Sequence, residues 1–453
     1  MKRTATIRLL PDRSAEAKLK ALCSLASKLW NEDNYVRRRQ FFESKRVDLK
    51  STYKEFYEKY KMLIGSATTQ QILNKNDEAW KSFFKLLKLK KQGKLPRFMK
   101  RINPPGYRKK GKSRELWVVL KKDQYEIKGD KIIVKGLGAI GRIEVEYRGF
   151  IHLRGGQGRM EIRYDPGRGR WHAHITYEVR ERFAEGNWVE VPRRPKGNLE
   201  AGTDIGVNNL MAVYVENGRT ILVNGRPLKA MSHYWIKKIS EYQSTLNKYG
   251  LKTSRRLRLM YRSWRIEVEN YIDSKVRSVM KVLYEIGVSR LKEGYPKYIA
   301  QENGNFNNVQ VWTYGYLVRR LREVGEEYGI EVVPSNEEYS SSKCPIHRDT
   351  SCGVRVERGL FKCILSNKVF NADLVGAYNI LVDGKPITLS PPSRGIGVMG
   401  RRSGPRLNRG KSRDVTPNLP ALTGGGTLTL EGWEEVRAPP SPPKECKYMV
   451  WAI

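Results

Sequence analysis

The chain has 453 residues, and its 86 lysines and arginines against 47 aspartates and glutamates give a formal net charge of +39. A charge excess of this size, spread over most of the chain, favours a long polyanion as partner, because each neutralised phosphate releases counterions. The sequence has no apolar run of about 18 residues, which excludes the class of proteins with membrane-spanning helices. It also has no signal-peptide pattern. We therefore expect a multidomain nucleic-acid-binding protein without membrane contact, cytoplasmic and nucleoid-associated.

The first half of the chain changes its pattern twice. Residues 2–10 alternate like a strand, and helical spacing runs from Ser14 to about residue 92, with an apolar stripe through Ile72 and Trp80. Prolines then bar a long helix, so residues 94–112 form a basic loop with aromatic rings, which suits phosphates and unstacked bases unless it is a solvated linker. The candidate nucleic-acid-binding residues of this loop are Arg97, Lys100, Arg101, Arg108, Lys109 and Lys110.

Short, regularly spaced strands between residues 115 and 180 predict a small antiparallel barrel. His172 and His174 share one face of a strand there, and we interpret them as sheet-surface residues rather than a metal pair. The basic segment 192–197 marks a domain boundary.

The C-terminal half returns to an α/β pattern. Helices are predicted over about 231–248, 253–286 and 309–328, with Arg255, Arg256 and Arg258 as further nucleic-acid-binding candidates at the start of the second. Strands are predicted at Ala201–Asp204, at 296–302 and at 330–334. The Pro/Gly/Arg-rich residues 386–453 are predicted to be mostly irregular, with a strand-like segment at 426–430 inside them.

Three carboxylates end or begin these elements: Asp204 ends a strand, Glu302 ends another, and Asp373 opens a helix. Oxygen ligands from separated segments can hold two Mg²⁺ ions, which hydrolyse a phosphodiester without a nucleophilic side chain. Each carboxylate alone also has a structural explanation, as a turn cap or as a helix N-terminal aspartate. The small residues Gly376 and Ala377 predict that the helix opened by Asp373 packs closely on a sheet.

A second metal site is predicted from the cysteines, because Cys344, His347, Cys352 and Cys363 can fill a tetrahedral Zn²⁺ shell. Ser366 stands where the second cysteine of a second Cys-x-x-Cys pair would be.

In the order of its motifs the chain resembles TnpB proteins, the transposon-encoded RNA-guided DNA nucleases. The motifs are GTDIGVNN at 202–209, DEAWKSFFK at 77–85 with LPRF at 95–98, SSKC at 341–344 and NADLVGAYNI at 371–380. The chain departs from the family pattern at three points. Asn371 stands where the family commonly has an acidic residue, and Val375 where it commonly has an asparagine. The family's zinc ribbon usually has two Cys-x-x-Cys pairs, which this chain lacks.

The resemblance implies an α+β multidomain fold. It places a wedge-like β-barrel at 1–12 and 100–190, a helical recognition lobe at 13–99, and a RuvC-like (ribonuclease-H-like) nuclease domain at 191–385 with a zinc-ribbon-like insertion at 340–368. It also implies Asp204, Glu302 and Asp373 as Mg²⁺ ligands, and a guide RNA that pairs with double-stranded target DNA beside a short motif read by the protein. The alternatives are an RNA-guided binder or repressor that cuts weakly or not at all, and a transposase or accessory nuclease that acts without RNA. The oligomeric state is not predicted.

Overall fold

A computed structural model describes residues 1–44, 46–95, 99, 101–108, 116–294, 314–335 and 340–382 apart from 358, together with the backbone of 427–429. The chain divides into two compact units, Met1–Val191 and Pro192–Ile453. Within the described part, no helix is long and apolar enough to cross a bilayer.

The first unit contains a nearly closed antiparallel barrel in which β1 lies between β5 and β7. The sheet runs β2-β6-β7-β1-β5-β4-β3, with β8 paired to β7. Its strands are β1 (Lys2–Leu10), β2 (Trp117–Leu120), β3 (Tyr125–Lys128), β4 (Lys131–Val134), β5 (Ile143–Arg148), β6 (Leu153–Asp165), β7 (Arg170–Ala184) and β8 (Asn187–Glu190). The predicted first strand and the predicted barrel are thus present.

Three helices pack on this barrel: α1 (Arg13–Ser44), α2 (Tyr53–Ile64) and α3 (Ser66–Lys91). Their apolar stripes and the inner barrel residues form one hydrophobic cluster, so helices and barrel share a core. The stripe predicted on α3 is buried, with Ile72 and Trp80 both fully shielded from solvent.

A buried charge joins the helices of the first unit. The guanidinium of Arg37 is fully buried and lies 2.9 Å from Asp33 and 2.6 Å from Asp77, and it also donates to Asn76. A buried charge needs such partners because desolvation is costly. Asp77, the first residue of the DEAWKSFFK motif, therefore has a structural role.

The second unit is built on a mixed sheet with the order β13-β12-β9-β10-β11-β17. Strands β9 to β11 are an antiparallel meander, whereas β12 lies parallel to β9 and to β13. The strands are β9 (Leu199–Asp204), β10 (Asn209–Val215), β11 (Thr220–Asn224), β12 (Val288–Gly294), β13 (Glu331–Ser335) and β17 (Thr427–Thr429). When β9 to β13 are numbered 1 to 5 in chain order, the sheet order β11-β10-β9-β12-β13 becomes 3-2-1-4-5. This is the strand order of a ribonuclease-H-like sheet.

Helices cover both faces of this sheet. They are α4 (Arg226–Lys248), α5 (Arg255–Ile286), α6 (Tyr314–Tyr328) and α7 (Ala372–Val382). Because side chains alternate along a strand, Met211 and Val213 of β10 pack with α5 and α6, while Ala212 and Tyr214 pack with α7. The sheet is therefore buried between two helical layers.

A three-stranded ribbon precedes α7: β14 (Gly353–Glu357), β15 (Leu360–Cys363) and β16 (Lys368–Asn371). All its pairings are antiparallel, and β16 leads directly into α7.

Strand β12 was not predicted from the sequence. β12 begins two residues after α5 ends, and its segment VSRLKEG places only Val288 and Leu291 as buried apolar side chains, too few to show a period of two. The strand predicted at 296–302 lies outside the described residues.

Candidate active site and metal centre

Asp204 is the last residue of β9, at the centre of the mixed sheet. β10 flanks it on one side and β12 on the other. The strand alternates, so Gly202 and Asp204 face the same side, which is the side covered by α7. The half-buried carboxylate thus lies at the strand end, where the chain turns through residues 205–208 into β10.

Helix α7 approaches this strand more closely than side chains allow. A Cβ on Gly202 would lie 2.3 Å from the carbonyl oxygen of Ala377, and a Cβ on Gly376 would lie 2.6 Å from Oδ2 of Asp204. Both contacts are shorter than a real Cβ shows. Position 202 requires glycine because the contact is with backbone, whereas a Cβ at position 376 would force the Asp204 carboxylate to shift. The close packing predicted from Gly376 and Ala377 is present, and it sets the Asp204 carboxylate directly on α7.

Asp373 lies in the first turn of the same helix, three residues before Gly376. Residues three apart share a helix face, so Asp373 and the contact point of Asp204 lie on one side of α7. Oδ2 of Asp373 accepts a 2.7 Å hydrogen bond from the side-chain amide of Asn209, the first residue of β10. Asp204 and Asp373 are therefore brought to one junction between sheet and helix.

Asn371 caps the helix that carries Asp373. Its Oδ1 accepts hydrogen bonds from the backbone N–H groups of Asp373 at 3.0 Å and Leu374 at 3.2 Å. This is the role of an N-cap asparagine, which satisfies donors that have no partner within the helix. The residue that replaces an acidic side chain in the resemblance thus has a structural use here.

Glu302 lies outside the described residues, but the structure does place another buried carboxylate on the sheet. Glu293 of β12 is fully buried and pairs with Arg322 of α6. Burial raises the pKa of its carboxyl group, although Arg322 opposes the shift. Gly294 faces Ile380 of α7, so the preceding Glu293 faces the opposite layer and does not join Asp204.

The four predicted zinc ligands are brought together. The ligand atoms of Cys344, His347, Cys352 and Cys363 all lie within 4.8 Å of one another. Nδ1 of His347 is 3.7, 3.3 and 3.4 Å from the Sγ atoms of Cys344, Cys352 and Cys363, in that order. A tetrahedral Zn²⁺ with bonds of about 2.3 Å to sulfur and about 2.05 Å to nitrogen has N···S edges of about 3.6 Å. The cluster therefore has the dimensions of a metal site.

The thiols of this cluster differ in acidity. Burial raises the pKa of Cys352 to about 12, and the neighbouring Cys344 adds to this. Burial also opposes ionisation of Cys363, but hydrogen bonds from Ser366, Cys344 and Cys352 together lower its pKa to about 6. The backbone N–H of Ser366 is 3.4 Å from Sγ of Cys363. Ser366, which stands where the second cysteine of a Cys-x-x-Cys pair would be, thus stabilises the thiolate of Cys363.

The metal cluster and α7 share one hydrophobic core. The three cysteines pack with Leu374, Tyr378 and other buried residues of α7. The buried amide of Asn379 also donates to the carbonyl oxygens of Ser340 at 2.6 Å and Lys343 at 2.8 Å. Sequence reasoning missed this role of Asn379, whose only signal is a polar residue on the buried face of an apolar helix.

The predicted nucleic-acid-binding residues fall into different surroundings. Arg97, Lys100, Lys109 and Lys110 lie outside the described residues, and Arg101 is exposed. The guanidinium of Arg108 lies 4.8 Å from the ring centre of Trp30 and 4.2 Å from that of Trp117, so it packs against two indoles.

Arg255, Arg256 and Arg258 are exposed at the start of α5, in the hairpin formed with α4. Residues 226–265 contain eleven lysines and arginines and one acidic residue, Glu241. The exposed rings of Tyr234, Tyr249 and Tyr261 belong to the same hairpin. Its surface therefore combines positive charge with aromatic rings.

The sheet order and the helix layers define a ribonuclease-H-like fold of the RuvC type, joined in one chain to a small antiparallel barrel with packed helices. Family comparison matches residues 174–300 to a family described as "Probable transposase" (OrfB_IS605) and residues 314–380 to the Cas12f1-like TNB domain. The chain is 36% identical over 401 residues to the TnpB-like protein ORF457 of Acidianus two-tailed virus, covering 84% of this chain and 86% of that protein. The chain belongs to the TnpB family, which is related to RNA-guided nucleases.

Two further likenesses are more distant. The CRISPR-associated endodeoxyribonuclease Cas12f1 of Sulfoacidibacillus thermotolerans is 25% identical over 123 residues, covering 26% of this chain and 28% of that protein. The protein chain of a Cas12f1–sgRNA–target DNA complex superposes with a TM-score of 0.55 at 11% identity, covering 84% of this chain and 98% of that chain. This superposition supports the fold.

Proposed function

We propose that the protein is an RNA-guided DNA endonuclease of a transposable element. A guide RNA from the element pairs with double-stranded target DNA, and the protein reads a short flanking motif. The observation that carries the proposal is the junction of β9 and α7, where Gly376 sets α7 against the carboxylate of Asp204 one turn from Asp373. Family membership supports the nuclease class.

In this proposal Asp204, Asp373 and Glu302 are the ligands of two Mg²⁺ ions. Carboxylate oxygens are the donors that Mg²⁺ prefers, and the bound ions supply an activated water and neutralise the leaving oxygen. The residues of the chain position these oxygens. Asn209 orients the carboxylate of Asp373 through its 2.7 Å hydrogen bond, and Gly376 leaves room for that of Asp204.

Cys344, His347, Cys352 and Cys363 hold a structural Zn²⁺ in this proposal. Four protein ligands close the coordination shell, which is the arrangement of a structural rather than a catalytic zinc. The depressed pKa of Cys363 favours the thiolate that a metal requires. Through Asn379 and the shared core, the ribbon then supports the helix that bears Asp373.

The basic hairpin of α4 and α5 is proposed to contact nucleic-acid phosphates. Its eleven cationic residues against one acidic residue suit a polyanion, and its exposed tyrosines suit unpaired bases. Arg255, Arg256 and Arg258 are proposed to contribute in this way. Arg108 receives a packing role instead, because its charge already lies against Trp30 and Trp117.

The experiment is to purify the protein from cells that carry its native locus, sequence the bound RNA, and add Mg²⁺ with a duplex library matched to that RNA. We expect one discrete RNA and cleavage of matched duplexes beside a common motif. Asp204→Ala should abolish cleavage and retain binding, because it removes a metal ligand and not a phosphate contact. A discrete RNA without cleavage would favour a guided repressor, and cleavage without any specific RNA would favour an unguided nuclease.

A further inference from the structure

The first unit carries a groove that is remote in sequence from the carboxylates and is not used by the proposed chemistry. It has a volume of about 700 Å³ and lies between α1, α2 and Tyr107. That volume lies within the range of pockets that bind small organic ligands, of which a nucleotide is one.

The groove is held open by hydrogen bonds between α1 and the segment 104–108. The indole N–H of Trp30 donates to the carbonyl of Gly106 at 3.0 Å, and the amide of Asn34 donates to the carbonyl of Pro105 at 3.0 Å. Asn31 donates to the carbonyl of Arg108 and accepts from its backbone N–H. These bonds fix the segment along the helix, so the groove is preformed.

Two tyrosine rings are presented at this groove. Tyr35 on α1 is 53% exposed and Tyr107 on the segment is 46% exposed. The guanidinium of Arg38 lies 5.2 Å from the ring centre of Tyr107 and covers one of its faces. Exposed rings backed by a cation are typical platforms for unstacked bases.

The charged groups that line the groove are two lysines and one carboxylate. Lys28, Glu32 and Tyr35 recur at spacings of four and three residues, so they share one face of α1. Lys59 of α2 donates to Oε2 of Glu32 at 3.0 Å, and the hydroxyl of Tyr60 donates to the same oxygen at 2.8 Å. Oε1 of Glu32 receives neither of these two bonds.

Glu32 is therefore an anion at neutral pH with one oxygen committed to the protein. Burial opposes its ionisation, but the bonds from Lys59 and Tyr60 hold its pKa below the ordinary value. An ionised carboxylate only accepts hydrogen bonds. It can accept from the amino group of cytosine, adenine or guanine. Uracil and thymine have no amino group, and their one donor, N3–H, lies between two carbonyl oxygens that the carboxylate would repel.

We propose that this groove binds one unpaired nucleotide, with its base on the tyrosine rings, its phosphate near Lys28 and Lys59, and an amino group of the base on Glu32. The proposal rests on the proposed function, because it assigns a subsite for single-stranded nucleic acid. Unpaired bases of RNA and of DNA both present this chemistry, so the test separates the two sources.

The test measures anisotropy of labelled trinucleotides with the full chain, using tri-cytidylate, tri-adenylate and tri-uridylate in ribo and deoxy forms. Tyr35→Ala should weaken tri-cytidylate binding about tenfold, since stacking contributes about 1–3 kcal/mol per base. Tyr35→Phe should retain binding because it keeps the ring. The matched control is Met62→Ala, which removes a 73% exposed side chain from α2 in the same unit.

A separate variant tests whether Glu32 distinguishes between the bases. Glu32→Gln should bring tri-uridylate binding up to that of tri-cytidylate, because an amide also donates. Equal binding of the two trinucleotides by the unaltered protein would overturn the role of Glu32. Equal loss in Tyr35→Ala and Met62→Ala, or no loss in either, would overturn the site. Tighter binding of the ribo or the deoxy series assigns the strand that occupies it.

Guided cleavage is measured in the same preparations. If guided cleavage is intact but trinucleotide binding does not depend on Tyr35, the groove proposal is rejected and the proposed nuclease stands. Tyr35-dependent binding without any guided cleavage would reject the proposed nuclease and leave the groove standing.

Discussion

Replacing Gly376 by alanine is the sharpest perturbation of the proposed active site. The added Cβ would lie 2.6 Å from Oδ2 of Asp204 and 3.1 Å from its Cγ. Ordinary contact begins at 3.4 Å, so the carboxylate must move by 3.4 − 2.6 = 0.8 Å. Since Oδ2 ends a side chain that can rotate, Asp204 yields more easily than the backbone of α7.

The substitution should separate activity from stability. A displacement near 1 Å of a catalytic group costs on the order of 100-fold in rate. Alanine is meanwhile favoured over glycine within a helix by about 1 kcal/mol, which offsets the strain of moving the side chain. We therefore expect Gly376→Ala to cleave a matched duplex about 100-fold more slowly, with a melting temperature close to that of the unaltered protein.

The assay is single-turnover cleavage of a matched duplex by the RNA-bound protein, together with thermal unfolding. Gly315→Ala on α6 is the control, because a Cβ there meets nothing within 4 Å. Unchanged cleavage by Gly376→Ala would show that the position of Asp204 does not limit the reaction. Loss of folding would show that α7 rather than the carboxylate had moved.

Three further predictions concern the ribbon and the helices of the first unit. Cys363→Ser should lose bound zinc and lower the melting temperature, measured by elemental analysis and calorimetry; full zinc retention would remove Cys363 from the shell. Asn379→Ala should keep zinc but cost about 1–3 kcal/mol in urea unfolding, since two carbonyls lose their donor. Burial raises the pKa of Asp33 to about 6 from an ordinary 3.8. The folded state therefore holds the proton of Asp33 more tightly than the unfolded state does. The resulting stabilisation is fully present below pH 3.8 and is lost as the pH rises through about 6. The unfolding free energy of the unaltered protein relative to Asp33→Asn should therefore fall over that interval, and a constant difference would refute the buried titration.

The sequence predicted the elements that have a strong period. The first strand, the stripe on α3, the barrel and the long helix α5 all show their apolar spacing over many residues. The cysteine ligands were also predictable, because metal chemistry restricts them to few residue types. β12 was missed because its burial comes from the neighbouring layers and not from its own alternation.

The details that define the site were less accessible from sequence. The role of Asn209 depends on a hydrogen bond to a residue 164 positions away. The packing of the Arg108 guanidinium on two indoles likewise depends on residues that are distant in sequence, so the basic pattern of its segment does not reveal it. Charge along a sequence gives the number of cations, but only the fold determines where each one points.

Helix α7 links the two candidate metal sites. Its first turn carries Asp373, its middle carries Gly376 against Asp204, and its last turn carries Asn379 bonded to the segment that leads into Cys344. A loosened ribbon would release the carbonyls that Asn379 holds and expose part of the core shared by α7. The positions of Asp373 and Asp204 depend on how α7 packs against the sheet and the ribbon. Removal of zinc should therefore slow cleavage before the sheet unfolds. A chelator that lowers the cleavage rate while the far-ultraviolet circular dichroism persists would support this coupling, and loss of both at the same zinc occupancy would contradict it.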